Sequence, residues 1–267
     1  MTFTLGNYYP GASLLHKLDP RTKILASLLL MVVLFMINQP LPLVIFGLFL
    51  AFMIAMSGVP FRLVLKSVRP VVFLAVFAWA LNVFTTPDDH YWFSWSFLHA
   101  SPQGFWVGLR MAVRLFFLVM ATQLCLTLTT TPLEMADGIE RLLRPLARLG
   151  FPSHELAMMM SIALRFVPTL ADETDKIMKA QSSRGADYDT GGAIARARGL
   201  VSVLIPLFVS ALKRADELAT AMEARCYRGG EGRTRLHVLR FSNKDIGASL
   251  ALLLVLALLL VLEYGLL

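Results

Sequence analysis

The sequence predicts an all-α integral membrane protein, with about five transmembrane helices and a long helical segment between the fourth and the last. Three observations predict it. The 267 residues are 57% hydrophobic and only 16% charged, with a mean hydropathy of +0.65, whereas a soluble domain carries about 45–50% apolar and about 25% charged residues. Five apolar runs stand out, at 24–37, 41–57, 71–84, 105–129 and 246–266. The 25 Lys and Arg are segregated along the chain rather than dispersed. Disorder and collagen-like repeats are excluded by this composition. Two cysteines, Cys125 and Cys226, far apart and in unlike surroundings, give no support to a disulfide framework.

Taken in order, the first run follows Lys17, Asp19, Pro20, Arg21 and Lys23, and no small-residue cleavage site follows it. It is therefore expected to be a retained span rather than a removable signal peptide. A spanning helix needs about 20 residues. The fourth and fifth runs reach that as they stand, and flanking neutral residues extend the first three. The stretch 248–262 is nearly pure Ala, Leu and Val, an all-round apolarity that no helix of a water-soluble core requires.

Orientation follows from the basic residues. Lys17, Arg21 and Lys23 precede the first span, and Arg62, Lys66 and Arg69 lie between the second and third. Arg110 and Arg114 sit inside the fourth, and the other 17 fall between Glu134 and Asp245. The segments 38–40, 85–103 and 264–267 contain no Lys or Arg. The positive-inside rule predicts an internal amino terminus and an external carboxyl terminus. Tyr91, Trp92, Trp95 and Trp106 suit an aromatic belt at the outer interface. The net charge of +7 is then a topology signal, and no nucleic-acid partner is expected.

These features divide the chain into residues 1–131 (an amino-terminal arm and four spans), 132–245 (an internal helical region) and 246–267 (the last span). The internal region is too polar for ordinary spans and too apolar for a plain loop. Thr131-Pro-Leu-Glu134 predicts a capping box with Pro at the first helical position, opening a helix that Pro145 bends and Gly150-Phe-Pro ends. Ser153 is expected to cap a second helix, apolar through Pro168 and charged afterwards, with one apolar or small face through Met159, Ile162, Phe166, Leu170, Ile177 and Ala180. It stops at Ser183-Arg184-Gly185. After a Gly-containing connector (186–199) the pattern repeats, apolar through Pro206 and charged afterwards, and stops at Ala224-Arg225-Cys226. Two such helices fit a crossed or hairpin pair with apolar roots and charged tips, each tip holding one Arg between small residues. A basic residue before a terminal glycine is also an ordinary helix cap. Its occurrence twice, at the ends of two half-amphipathic helices, favours a pair of cationic contacts suited to carboxylates or carbonyls on a partner.

Other chemistry is sparse. There is no G-x-x-x-x-G-K-[ST] phosphate loop, and Gly229-Gly-Glu-Gly232 reads as a cap and turn. The five histidines are scattered without metal-ligand spacing, Asp88-Asp-His90 reads as a solvated loop, and no G-x-S-x-G nucleophile motif occurs. No catalytic residue, metal or bound cofactor is expected. Arg110 and Arg114 lie one turn apart on one helix face and are expected to snorkel to headgroups or to pair within the bundle. Arg165, at the root of the second internal helix, is expected to meet a carbonyl or carboxylate at the membrane boundary. The 13 Met, Met158–Met160 among them, suit either core filling or a surface that repacks against a partner.

Several separated motifs, in order, resemble the transmembrane T component of energy-coupling factor (ECF) importers, in the form shared among several substrate-binding partners. They are Ser13-Leu-Leu-His-Lys-Leu-Asp-Pro-Arg-Thr-Lys23, Thr130-Thr-Pro-Leu-Glu134, Ala163-Leu-Arg-Phe-Val-Pro-Thr169, Ser183-Arg184-Gly185 and Ala224-Arg225-Cys226. The first arginine motif has Ser where Ala is more usual, and both are compact. The resemblance runs from about Tyr8 to Asp245 and implies an L-shaped scaffold whose internal helices are coupling helices. Arg184 would engage one of two cytoplasmic ATP-binding subunits and Arg225 the other. A small integral membrane subunit, one or several interchangeable, would bind the vitamin or metal ion. ATP would be used by the partners, in the cell membrane of a prokaryote. The rival readings are a membrane-embedded enzyme acting on lipid or prenyl substrates, which needs clustered Asp, His or Glu, and a self-contained channel or secondary transporter, which needs duplicated spans and midplane polar groups.

Overall fold

A computed structural model describes residues 8–11, 13–87, 93–95, 98–145, 152–185, 192–227, 229 and 241–265. Eight helices carry the architecture: α1 (Pro20–Met36), α2 (Pro40–Ser57), α3 (Phe61–Thr85), α4 (Pro102–Thr122), α5 (Pro132–Leu143), α6 (Ser153–Ser183), α7 (Ala193–Ala224) and α8 (Asn243–Gly265). A two-stranded antiparallel hairpin, β1 (Phe93–Trp95) and β2 (Leu98–Ala100), precedes α4 and pairs Phe93 with Ala100. The chain forms two compact units. One is Leu143–His237, and the other joins Gly6–Leu142 to Val238–Leu267. Helix α5 therefore belongs to the bundle rather than to the internal arms.

Among the described residues, four helical stretches are long and apolar enough to cross a membrane: Pro40–Ser57, Phe61–Thr85, Pro102–Leu128 and Asn243–Gly265. Helix α1 has 17 residues, about 26 Å at 1.5 Å per residue, and falls short of a hydrocarbon layer of about 30 Å. It lies against α4 and α8, and its Leu30 and Leu34, with the capping Ile37, join Phe46 and Leu50 of α2 and Leu256 and Leu259 of α8 in the main core. A second cluster gathers Val64 and Val68 of α3 with Met120 and Leu124. Outward positions such as Phe52, Phe73, Leu250 and Leu254 are exposed and apolar, as lipid-facing residues must be.

Helix α3 begins ten residues before the apolar run that announces it and continues through Pro70. Hydropathy marks the greasy layer, not the helix end, and Arg62, Lys66 and Arg69 extend the helix out of it. The close pairing of α3 with α4 depends on Gly104 and Gly108. A Cβ on Gly104 would lie 2.5 Å from the Asn82 carbonyl, and one on Gly108 would lie 2.9 Å from the Trp79 carbonyl. This is the small-xxx-small spacing that lets helix backbones approach in membranes, and Gly104-Phe-Trp-Val-Gly108 carries it in the sequence. Beyond Thr122 the helix loosens into a π turn, Gln123–Leu128.

Three expectations for the internal region change. Helix α5 ends at Leu143, ahead of Pro145, instead of bending there: proline disfavours helical geometry in the residue before it and lacks an N–H to continue. Ser153 is the first helical residue of α6, with Pro152 in the capping position. Helix α7 starts at Ala193, inside the expected connector, and passes through the buried Gly199; Ala and Arg are strong helix formers and a single glycine costs only about 1 kcal/mol. The expectations for Tyr91, Trp92, Asp88–His90, Gly150 and Gly230–Gly232 lie outside the described residues.

Candidate functional site: two arginine tips and the knot at the bundle end

Helices α6 and α7 end alike. Arg184 caps α6 with φ −92° and ψ 8°, and Arg225 caps α7 with φ −91° and ψ 13°. Each is followed by a left-handed residue, Gly185 at φ 86° and Cys226 at φ 56°. The Gly185 N–H donates to the Ser182 carbonyl at 2.9 Å and the Cys226 N–H to the Glu223 carbonyl at 2.9 Å, while the Tyr227 N–H reaches back to Met222 at 3.0 Å. These are the bonds of a Schellman-type stop. At Gly185 a Cβ would meet nothing within 4 Å, so glycine is needed there for its backbone angle and not for space. Ser183, Ala224 and both arginines are exposed, and neither guanidinium has a hydrogen-bond or ionic partner among the described residues.

One polar pin joins the two helices. The Glu173 carboxylate accepts from Arg214 Nη2 at 2.7 Å and Nε at 3.2 Å, and from the Ser210 hydroxyl. The bonds from Ser210 and Arg214 hold its carboxyl below the ordinary glutamate range. A depressed carboxyl stabilises the pin above its unfolded value of about 4.3, and that contribution disappears as pH falls through the lowered value. Acidification below pH 4 is therefore expected to loosen the α6–α7 contact, read as a broadened distance distribution between spin labels at Ser182 and Glu223. Glu173→Gln should show the broad distribution already at pH 7. A distribution unchanged at both pH values in both proteins would refute this role for Glu173.

The pin stands eleven residues before each tip, Glu173 before Arg184 and Arg214 before Arg225, or about 16 Å along either helix. The helices cannot run side by side in parallel. In that arrangement the end of α6 and the start of α7 would be at least ~40 Å apart, yet the ten peptide steps between Ser183 and Ala193 reach at most ~35 Å. The tips accordingly diverge from the pin. Towards its root α7 exposes a continuous apolar stripe, Leu200, Leu204, Ile205, Phe208, Val209 and Leu212, and α6 exposes Met159, Met160 and Val167. Arg165 is exposed on α6 and meets no carboxylate or carbonyl through its side chain among the described residues.

In the bundle, Arg110 and Arg114 turn to the connection between α1 and α2. Arg110 Nη1 donates to the Asn38 carbonyl at 3.0 Å, and Arg114 Nη2 donates to the Ile37 carbonyl and to Asn38 Oδ1 at 3.2 Å. Glu263 of α8 completes the cluster, accepting from the N–H groups of Asn38 at 2.9 Å and Gln39 at 3.0 Å. Sequence reasoning missed Glu263; a carboxylate near the end of an otherwise uncharged span was its signal.

A second arrangement also escaped the sequence, because Lys17, Arg21 and Lys23 looked like one basic cluster. Lys23 is buried, and its Nζ donates to the Thr129 carbonyl at 2.8 Å and to His16 at 3.3 Å. His16 Nε2 donates to the Tyr9 carbonyl at 2.9 Å, so Nδ1 takes the Ser13 hydroxyl at 2.7 Å. The Asp19 N–H donates to Asp245 Oδ1 at 2.7 Å, and Asp245 Oδ2 accepts from Ser242 N–H at 2.8 Å. The Thr131–Glu134 capping box closes beside this knot: Thr131 N–H to Glu134 at 3.0 Å, Glu134 N–H to Thr131 at 3.2 Å. Gly138 packs within 3.0 Å, measured from a built Cβ, of Pro20. Two motifs separated by over a hundred residues thus form one structure, locking the starts of α1, α5 and α8 together.

Comparison with known proteins shows the family of the chain. Residues 11–236 match the family of cobalt transport proteins, CbiQ. The chain is 54% identical over 243 residues to the energy-coupling factor transporter transmembrane protein EcfT of Ruminiclostridium cellulolyticum, covering 91% of this chain and 90% of that protein. It is 48% identical to EcfT of Acidaminococcus fermentans over 98% and 97% of the two chains, and 44% identical to EcfT of Bacillus subtilis over 96% of each. The enzyme reading finds no support among these relatives. With a family match over residues 11–236 and relatives matched along nearly its whole length, the chain belongs to the CbiQ/EcfT family of transporter transmembrane proteins.

Proposed function

We propose that the chain couples ATP hydrolysis in other subunits to import of a micronutrient, a vitamin or a metal ion, through an energy-coupling factor transporter of a prokaryotic cell membrane. The observation that carries this reading is the pair of exposed guanidiniums, unpartnered among the described residues, on like caps equally far from a shared pin. Arg184, between Ser183 and Gly185, docks one cytoplasmic ATP-binding subunit, and Arg225, between Ala224 and Cys226, docks the other. Divergent tips suit two separate partners better than one. The exposed apolar roots of α6 and α7 hold an integral membrane substrate-binding subunit, one or several interchangeable ones, which chooses the substrate. The chain itself binds no cofactor and performs no catalysis. ATP is bound and hydrolysed by the partners, whose closure moves the tips. The segregated basic residues support an internal amino terminus and internal tips. Affinity purification of the full chain from its native membrane tests the proposal: two ATP-binding chains and a small membrane protein are expected with it. Recovery of the chain alone, active by itself in vesicles, would overturn it.

A further inference from the structure

We propose that the groove between α2 and α4, beside the α1–α2 connection, holds one anionic phospholipid, its acyl chain on the apolar walls and its phosphate on the Arg110 guanidinium. The groove has a volume of about 410 Å³ and is walled by Leu43, Val44, Trp106, Val113 and Phe117, with Arg110 as its charged group. Its lining residues all lie within the bundle unit.

Charge selects the headgroup. The α1–α2 connection is held by two guanidiniums and one carboxylate, and the carboxylate of Glu263 is spent on the N–H groups of Asn38 and Gln39. Arg110 and Arg114 rest on carbonyl and amide oxygens, which satisfy hydrogen bonds without cancelling charge. Among the described residues, no carboxylate lies within 4 Å of either arginine. Among the described residues the cluster therefore holds one more guanidinium than carboxylate, with Arg110 facing an apolar groove. Among the described residues Arg110 uses only Nη1, which leaves its other nitrogens for a forked contact with phosphate. Arg114, one turn further along α4, pairs with neutral oxygens, and its Nε is buried with no hydrogen-bond partner among the described residues, so its charge adds to the field at Arg110.

Position selects a lipid as the carrier of that phosphate. Arg110 is eight residues into α4, about 12 Å from its start, below a headgroup layer of about 5–7 Å. Its aliphatic stem can lift the guanidinium towards that layer. Trp106 stands one turn nearer the helix start and is 62% exposed, the amphipathic ring expected at this level. A zwitterionic lipid would bring a second cation to a site already positive, whereas phosphatidylglycerol would not.

Quenching of Trp106 tests the site. The full chain carrying Trp79→Phe, Trp92→Phe and Trp95→Phe is placed in phosphatidylcholine vesicles. About one lipid in ten is replaced by brominated-acyl phosphatidylglycerol or, in parallel, brominated-acyl phosphatidylcholine. One basic residue near a membrane surface is worth about a fivefold enrichment of acidic lipid, so quenching by the glycerol lipid should exceed quenching by the choline lipid accordingly. Arg110→Gln should equalise the two. Val44→Phe fills the groove from an exposed position, leaves Arg110, Arg114 and Glu263 in place, and should also abolish the preference. Equal quenching by both lipids in the parent would show ordinary annular lipid and overturn the proposal. So would a Trp106 shielded from both lipids in the assembled transporter, which would give the groove to a protein partner.

Discussion

A chain carrying Arg184→Ala and Arg225→Ala is expected to insert and fold like the parent yet lose its ATP-binding partners. Both side chains are exposed and neither has a partner among the described residues, so their removal should change stability by no more than about 0.5 kcal/mol. At an interface, truncating one partner of a hydrogen-bonded charge pair costs about 2–5 kcal/mol. At about 1.4 kcal/mol per tenfold, each single substitution should weaken docking roughly 30-fold or more. The double variant should leave no measurable ATP-driven uptake in a reconstituted transporter, with parent-like thermal unfolding as the control. Full transport by the double variant would end the docking role of both tips. Gly185 supplies a finer comparison. Asparagine tolerates the left-handed backbone, so Gly185→Asn should dock nearly normally, whereas Gly185→Val should strain the stop and displace the arginine before it.

Placing Val at Gly104 or Gly108 is expected to do the greatest damage to the fold. The built Cβ atoms already meet the carbonyl oxygens of Asn82 and Trp79 at 2.5 and 2.9 Å, and those are backbone atoms held by helix α3. The extra methyls can be accommodated only by moving α4 away. Overpacking of this kind costs about 1–3 kcal/mol per site, and more where nothing can yield. Denaturant unfolding in detergent should show a loss at the upper end of that range for each variant. Parent-like stability in Gly104→Val would mean that α3 and α4 stand farther apart than described.

Helical class, the apolar runs and the two arginine tips were legible because each rests on local rules: hydropathy over one span, a proline after a threonine, a small residue after a terminal arginine. Lys23 and Glu263 were not legible in the same way. A buried lysine and one on a cytoplasmic flank look identical in a sequence, and only the fold brings the Thr129 carbonyl to Lys23. The same is true of Asp19 and Asp245, which lie at opposite ends of the chain and meet at 2.7 Å. Arg110 and Arg114 were visible as anomalies, but their shared target was not, because the α1–α2 connection carries no distinguishing side chain apart from Asn38. The glycine pair of α4 was available as a motif and is explained only by its contact with α3.

The equal spacing from the Glu173–Arg214 pin to the two tips has an evolutionary consequence. Each helical residue advances the axis by about 1.5 Å and turns it by about 100°. One inserted or deleted residue between Glu173 and Arg184, or between Arg214 and Arg225, would swing that guanidinium around its helix while the other stayed in place. Those two stretches can drift in composition wherever their side chains face solvent, but under the proposed function their lengths are fixed, and an indel in either would need a matching change in the subunit proposed to dock there.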